Sequence, residues 1–310
     1  KTDCARTAGM APAISDPQLS KKSWPVPGFR YSRKEIKKMK SEYDAIIIGS
    51  GIIGCCTAFE LAKLGYKTLN IDKLGGAGMG STSASCAIVR LHYSTVQGVT
   101  MAREGYYYWL DWPKYLEARD PDGMAFYRNT GALVIKTETN KHLSRVKASL
   151  EALNVGYRDL QPEDLKKYIP NVDLQSYFPQ KWIHDPDFGK PTAERIPGAI
   201  WVPESGYISD PKLSAHNAQI AAEHKGADFL FNRRVVGILK ENHRVAGVHL
   251  EDGSTIKTPV IVNIAGPHSF QINRMADVEK TMNIKTRPMK QEVAHVPAPE
   301  GMNWERDGYM

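Results

Sequence analysis

Cysteine is scarce in this chain: four in 310 residues, two of them adjacent (Cys55, Cys56) and none in a CxxC pair. That excludes a disulfide-stapled scaffold and offers no zinc-ligand spacing, so a reducing compartment is expected and no metal is. Long apolar runs are also few. The most apolar window, Ala45 to Ala62, contains Gly49, Ser50, Gly51, Gly54 and Glu60, and its halves differ in period, which argues against a membrane-spanning helix. Charge imbalance is nearly absent from the body of the chain. The net charge is +7, but residues 1–42 hold 10 basic and 4 acidic residues, leaving 31 against 30 in the other 268. A folded basic face for nucleic acid is therefore not expected. Repeats of 20 to 50 residues are absent as well. What is present is an ordinary globular composition, 42% apolar and 24% charged, enough to build one large domain or two ordinary ones.

Residues 1–40, with Pro12, Pro17, Pro25, Pro27 and the basic run Arg33 to Lys40, read as a basic extension. They lack the order of a secretory signal; their few acids keep a mitochondrial presequence as the alternative to a cytoplasmic protein. From Asp44 the pattern is strand (to Ile48), glycines, helix (Cys55 to Lys63, stopped at Gly65) and strand (Lys67 to Asp72), a βαβ unit. Gln97 to Leu116 is expected to be helical until Pro113, and Ala132 to Lys136 a strand. Leu143, Val146, Leu150 and Leu153 form one helical stripe. Residues 161–205, rich in proline and aromatics, are expected to be irregular. Asp210 and Pro211 open a helix that stops at Gly226. Strands are expected over 228–231, 235–240, 245–250, 254–257 and 259–265, and a last one over Arg287 to Val296.

Gly49, Gly51 and Gly54 form GxGxxG between the first strand and helix, with Asp72 at the end of the next strand, 18 residues beyond Gly54. The first glycine suits a tight turn, the second a close backbone approach to a pyrophosphate, and the third helix-on-strand packing. The helix N-terminus meets phosphate charge, and Asp72 would accept hydrogen bonds from ribose hydroxyls. The absence of an arginine beside Asp72 disfavours a 2′-phosphate, an argument that Lys73 tempers, and Lys73 is counted among the cofactor-binding residues. Gly75 to Ser83 (GGAGMGSTS) follows where the middle of a dinucleotide would lie.

The series Asp44 to Gly54, Ala58, Asp72, Gly80 to Ser83, Ile88 to Ser94, Gly206 to Pro211 and Asn263 to Ser269 resembles the D-amino-acid oxidase superfamily of flavoenzymes, in particular its sarcosine oxidase and dimethylglycine dehydrogenase branch. The resemblance runs from about residue 43 to 310 and rests on the order of the motifs. It implies FAD, and hydride transfer from the carbon beside a nitrogen to the flavin, with dioxygen or an electron-acceptor protein taking the electrons onward. By position, Gly49, Gly51, Gly54 and Asp72 would hold the ADP half, and Ser81, Thr82 and Ser83 the centre of FAD. The backbone at Val235 and Val236 would meet the adenine, and Ala265 and Gly266 would make a second close approach. Arg90 falls on the arginine that grips the substrate carboxylate, a role its fork suits. Ser83 and Ala87 stand where related enzymes place a flavin-facing His and Arg. His92, His268 and His295 are weak candidates, with His268 the best placed, beside Gly266.

The fold class this implies is α/β. A discontinuous Rossmann-like FAD domain (41–120 and 198–272) is combined with an antiparallel-sheet substrate domain (121–197 and 273–310) whose C-terminal part is missing. The expected function is oxidation of the C–N bond of a secondary or tertiary, sarcosine-like amino acid. A 2-hydroxy-acid dehydrogenase and a non-catalytic flavin-binding subunit or fragment are the alternatives, and a partner subunit is left open.

Overall fold

The computed structural model describes residues 42–290 apart from 138, 142, 193 and 194, together with 297 and 300. All belong to the unit Ser41–Met310. In chain order the elements are β1 (Ala45–Ile48), α1 (Ile52–Lys63), β2 (Thr68–Ile71), β3 (Ile88–Val89), α2 (Val96–Leu110), α3 (Trp112–Leu116), β4 (Tyr127–Asn129), β5 (Ala132–Ile135), α4 (Leu143–Ala152) and β6 (Arg158–Leu160). There follow β7 (Ala199–Val202), β8 (Gly206–Ile208), α5 (Pro211–His224), β9 (Asp228–Leu230), β10 (Val235–Glu241), β11 (Arg244–Leu250), β12 (Thr255–Lys257), β13 (Ile261–Asn263) and α6 (Ser269–Met275).

A parallel sheet of order β13-β1-β2-β9 is the frame of the molecule. All residues of β1 and β2 are buried, as expected of strands covered on both faces. Alternation decides which layer each residue meets. Ile47 joins Cys55, Ala58, Phe59 and Ala62 of α1 and Ala215, Ala218, Ala221 and Ala222 of α5. The alanines let the two helices lie close, and fully buried Phe59 contributes about 1.5–3 kcal/mol by leaving water. Ile46, Ile48, Leu69 and Ile71 point the other way, onto Val235, Val248, Leu250 and Ile256 of the antiparallel meander β10-β11-β12 and Ile272 of α6.

Between β2 and α5 the chain forms two further three-stranded antiparallel sheets, β3-β8-β4 and β5-β7-β6. The stripe Leu143, Val146 and Leu150 of α4 packs with Leu91, Val99 of α2 and Ile200 of β7. As the sequence predicts, Asp210 caps α5 by accepting the Leu213 N–H at 2.9 Å.

Three expectations need revision. The α2 helix ends at Leu110, before Pro113, because a proline ring would strike the carbonyl four residues back. Asp111 leaves the helical region and caps the new short helix α3, in whose first turn Pro113 sits. The stretch 161–205 is not wholly irregular, since β7 is the middle strand of its sheet; its four-residue apolar run is hidden among prolines and aromatics. Of the expected strand 287–296, residues 287–290 are not in a strand and the remainder lies outside the described residues.

Candidate functional site

Gly49 and Gly54 of the β1–α1 turn stand where a side chain would not fit, and Gly51 where it would be tight. Gly49 turns at φ +113°, and a Cβ on it would overlap the Ile264 carbonyl just past β13. A Cβ on Gly54 would overlap the Gly49 carbonyl, so bare backbone is what brings α1 onto the sheet. A Cβ on Gly51 would lie 3.0 Å from Thr82 Oγ1. Gly51 is the N-cap of α1 and offers no capping side chain, and the first turn of the helix contains no acid. Instead the Ile52 N–H donates to Thr82 Oγ1 at 3.1 Å, a neutral acceptor carried in by a different loop. That loop is fixed to the turn by the Gly78 N–H donating to the Ser50 carbonyl at 2.8 Å. The positive end of the helix dipole therefore meets a hydroxyl, and the first turn itself carries no carboxylate, an arrangement suited to a phosphate.

Asp72 locks the same turn from the side. One carboxylate oxygen accepts the Ser50 N–H at 2.7 Å and the other the Leu74 N–H at 2.9 Å. Two such bonds use about half of the acceptor positions of a carboxylate, leaving the others for hydroxyls. Ser50 itself is buried, and its Oγ has no hydrogen-bond partner among the described residues. Cys55, buried, and Cys56, half-buried, lie just behind the turn, and both thiols are held in the protonated form. Burial first, and then the neighbouring thiol, holds Cys55 well above the ordinary range, while burial pushes Cys56 up to about 12.

Eight residues beyond Thr82, Arg90 follows β3 and is exposed. Its Nη1 lies 3.4 Å from His92 Nε2, and its guanidinium sits over the Tyr93 ring at 5.1 Å from the centroid. No carboxylate among the described residues pairs with it. His92 is driven down to about 4, by burial first and by the Arg90 charge second, so its imidazole is neutral at physiological pH.

A glycine cradle between a parallel strand and a helix, with a carboxylate at the end of the next strand, is a dinucleotide site. The model of one family, "FAD dependent oxidoreductase" (DAO), matches residues 44–310. The chain belongs to that family. Among curated relatives it is 31% identical to the peroxisomal sarcosine oxidase of Homo sapiens over 136 residues, 44% of this chain and 33% of the relative. It is 25% identical to the sarcosine oxidase subunit beta of Arthrobacter sp over 275 residues, 88% of this chain and 62% of the relative. The chain thus spans less than two thirds of the length of these relatives. Its fold is similar to that of the L-proline dehydrogenase from P. horikoshii (TM-score 0.63, 24% identity, 78% of this chain and 57% of that one). It is also similar to that of the glycine oxidase from Geobacillus kaustophilus (TM-score 0.61, 20% identity, 77% and 59%). FAD is the cofactor of the DAO family, and the residues present fit it: a side-chain-free cradle, an uncharged helix start and a carboxylate with acceptor capacity to spare.

The DAO fold brings some of the sequence-predicted residues together and leaves others apart. Gly49, Gly51, Gly54, Asp72 and Thr82 meet at the carboxyl ends of β1 and β2, and Ala265 joins them there, because β13 lies beside β1. Gly266 follows in an exposed turn at φ +55°. Ser83 turns its hydroxyl to the Gly80 carbonyl at 3.0 Å, and Ser81 and Lys73 are exposed. Val236 is 46% exposed at a bulge of β10, while its neighbour Val235 is buried. His268 is exposed, and its ring has no hydrogen-bond partner among the described residues; His295 lies outside them.

Two groups escaped sequence reasoning. Asn70 in β2 donates to the Gly54 carbonyl at 3.1 Å and so tethers α1; an asparagine within a wholly buried strand was the available signal. Asp120, Asp122 and His216 each bring a potential ligand atom within 4.8 Å of the others. Asp120, however, is already satisfied by His216 Nδ1 at 2.6 Å, Asn217 Nδ2 at 2.8 Å and the Asp122 N–H at 2.9 Å. The Ala125 N–H donates to Asn217 Oδ1, so the cluster fastens the 120–125 segment to α5. No sequence motif marks it, because its members lie 96 residues apart. Among the described residues no helix is long and apolar enough to cross a membrane.

Proposed function

We propose that this chain is the cofactor- and carboxylate-binding portion of an enzyme that oxidises the C–N bond of a secondary or tertiary amino acid of the N-methylglycine type. The observation that carries this reading is Arg90, an exposed guanidinium with no acidic partner among the described residues, resting on an aromatic ring one short segment from the cradle. Such a fork binds a carboxylate through two parallel hydrogen bonds. Gly49, Gly51 and Gly54 admit the pyrophosphate; Asp72, with Lys73 beside it, takes the adenosine ribose. Ser81, Thr82 and Ser83 would hold the middle of FAD, and the backbone at Val236, Ala265 and Gly266 would hold its ends by a close approach. The flavin supplies the hydride acceptor. Arg90 fixes the carboxylate, and hence the direction in which the substrate nitrogen and its neighbouring carbon lie. With an amine bound neutral, little acid–base chemistry is required, and positioning supplies most of the effect. His268, at the cofactor-facing turn, is the titratable group nearest in sequence to that approach. Dioxygen or an acceptor protein would take the electrons onward, and the three described cysteines, all free thiols, suit a reducing compartment such as the cytoplasm.

The test is anaerobic addition of sarcosine, proline and 2-hydroxyglutarate, in turn, to the FAD-loaded protein. Loss of the yellow colour with one of the amino acids supports the proposal. Bleaching by the hydroxy acid alone would replace it with a 2-hydroxy-acid dehydrogenase. A yellow protein that no substrate bleaches would make it a binding subunit.

A further inference from the structure

Arg90 is the end of a small scaffold, and the scaffold has a part with no assigned task. The Tyr93 N–H donates to the Leu91 carbonyl at 2.9 Å, closing a three-residue turn centred on His92. Leu91 is fully buried in the core and anchors that turn. The turn swings Tyr93 back toward Arg90, so that the guanidinium meets the imidazole at one edge and the phenol ring on its face. Tyr93 is in turn seated on the first turn of α2, where a Cβ on Gly98 would lie 3.1 Å from Tyr93 Cβ. From core to guanidinium, each member therefore has a fixed support.

We propose that His92 is the positioning residue of Arg90: its Nε2 accepts the Nη1–H and so sets the direction in which the free edge of the guanidinium points. This rests on the reading of Arg90 as the carboxylate fork. A guanidinium has donors only, so Nε2 must carry the lone pair and the proton must reside on Nδ1. That tautomer is the one a free neutral imidazole favours less, and it leaves a Nδ1–H that is buried without a partner among the described residues. The arrangement therefore depends on Arg90 to hold the tautomer. Arg90 also acts on the ring by its charge, and its repulsion, added to burial, keeps the imidazole neutral and able to accept.

The experiment is long-range proton–nitrogen correlation NMR of the histidine rings of the full chain at pH 7.5, with His92 assigned by the signal lost in His92→Gln. His92 is expected as the Nδ1–H tautomer, moving toward Nε2–H in Arg90→Met. An Nε2–H ring in the unsubstituted protein, or a tautomer indifferent to Arg90→Met, overturns the proposal. Acetate then serves as the carboxylate probe. His92→Phe, which has no acceptor, should weaken its binding about tenfold, while His92→Gln, whose amide oxygen can accept, retains most of it. Equal acetate binding by His92→Phe and the unsubstituted protein overturns the positioning role. If the tautomer responds to Arg90 but acetate binding does not, the carboxylate reading of Arg90 is what fails, and the His92–Arg90 contact stands.

Discussion

Replacing glycine by alanine inside a helix ordinarily stabilises it, by up to about 1 kcal/mol, because alanine loses less backbone freedom on folding. Two helical glycines, Gly54 of α1 and Gly105 of α2, should nevertheless respond with opposite signs. A Cβ on Gly105 would meet nothing within 4 Å, so Gly105→Ala should gain the helical preference in full. A Cβ on Gly54 would overlap the Gly49 carbonyl and come 3.0 Å from its carbonyl carbon, both backbone atoms that cannot swing aside. Relief requires α1 to lift from β1, which also strains the Asn70 hydrogen bond to the Gly54 carbonyl and opens the packing of Phe59 and Ala62. Overpacking of this kind costs about 1–3 kcal/mol, and the lost hydrogen bond about 1 kcal/mol more, against the gain of about 1. The net is destabilisation by about 1–3 kcal/mol. For a body of this size that lowers Tm by about 2–4 °C per kcal/mol. Differential scanning calorimetry of the two variants beside the parent protein measures it. A Tm for Gly54→Ala at or above the parent value would refute the close-contact reasoning, and with it the assignment of α1's position to bare backbone. FAD affinity, followed by flavin fluorescence, should fall in Gly54→Ala and be unchanged in Gly105→Ala.

Thiol alkylation mapped by mass spectrometry should modify Cys86, which is exposed, and the half-buried Cys56 more slowly, while Cys55 reacts only after unfolding; fast labelling of Cys55 in the folded protein would contradict its burial. Asp120→Ala should lower stability by about 2–4 kcal/mol, since it removes an acceptor shared by His216 and Asn217 and strands their buried donors; urea unfolding monitored by tryptophan fluorescence gives the value, and a change below 0.5 kcal/mol would speak against the fastening role. Acid should also act through His92. Its folded value of about 4 lies below that of the unfolded chain, so the unfolded state takes up the proton first and stability falls as pH drops from about 6.5 toward 4. His92→Gln should flatten that limb of a Tm-against-pH curve, and an unchanged slope would show that other groups set it.

Much of the cradle was legible in the sequence because its parts are local. A β-branched run, three glycines at fixed spacing and a following carboxylate lie within 30 residues, and each has a steric or electrostatic reason that holds in any parallel sheet. The capped helix opening at Asp210 was legible for the same reason. What was not legible depends on partners distant in the chain. The strand β7 becomes one only because β5 and β6 flank it, and Asp120 has meaning only once α5 passes beside it. Thr82 lay between the two cases. Its residue type and loop pointed to the cofactor, but nothing in its neighbourhood told that its hydroxyl would rest on the Ile52 amide. Arg90 could be singled out by resemblance alone; its contacts with His92 and Tyr93 arise from the turn at His92, which no composition signal marks.

The placement of β13 beside β1 has a consequence for how the living cell makes this molecule. The nucleotide-gripping loop leaves the ribosome early, yet its flanking wall, Ile264 and Ala265, is translated more than 200 residues afterward. A nascent chain therefore carries half a binding groove while those intervening residues are made, and stable capture of the vitamin-derived coenzyme must wait until that late strand threads in alongside the first.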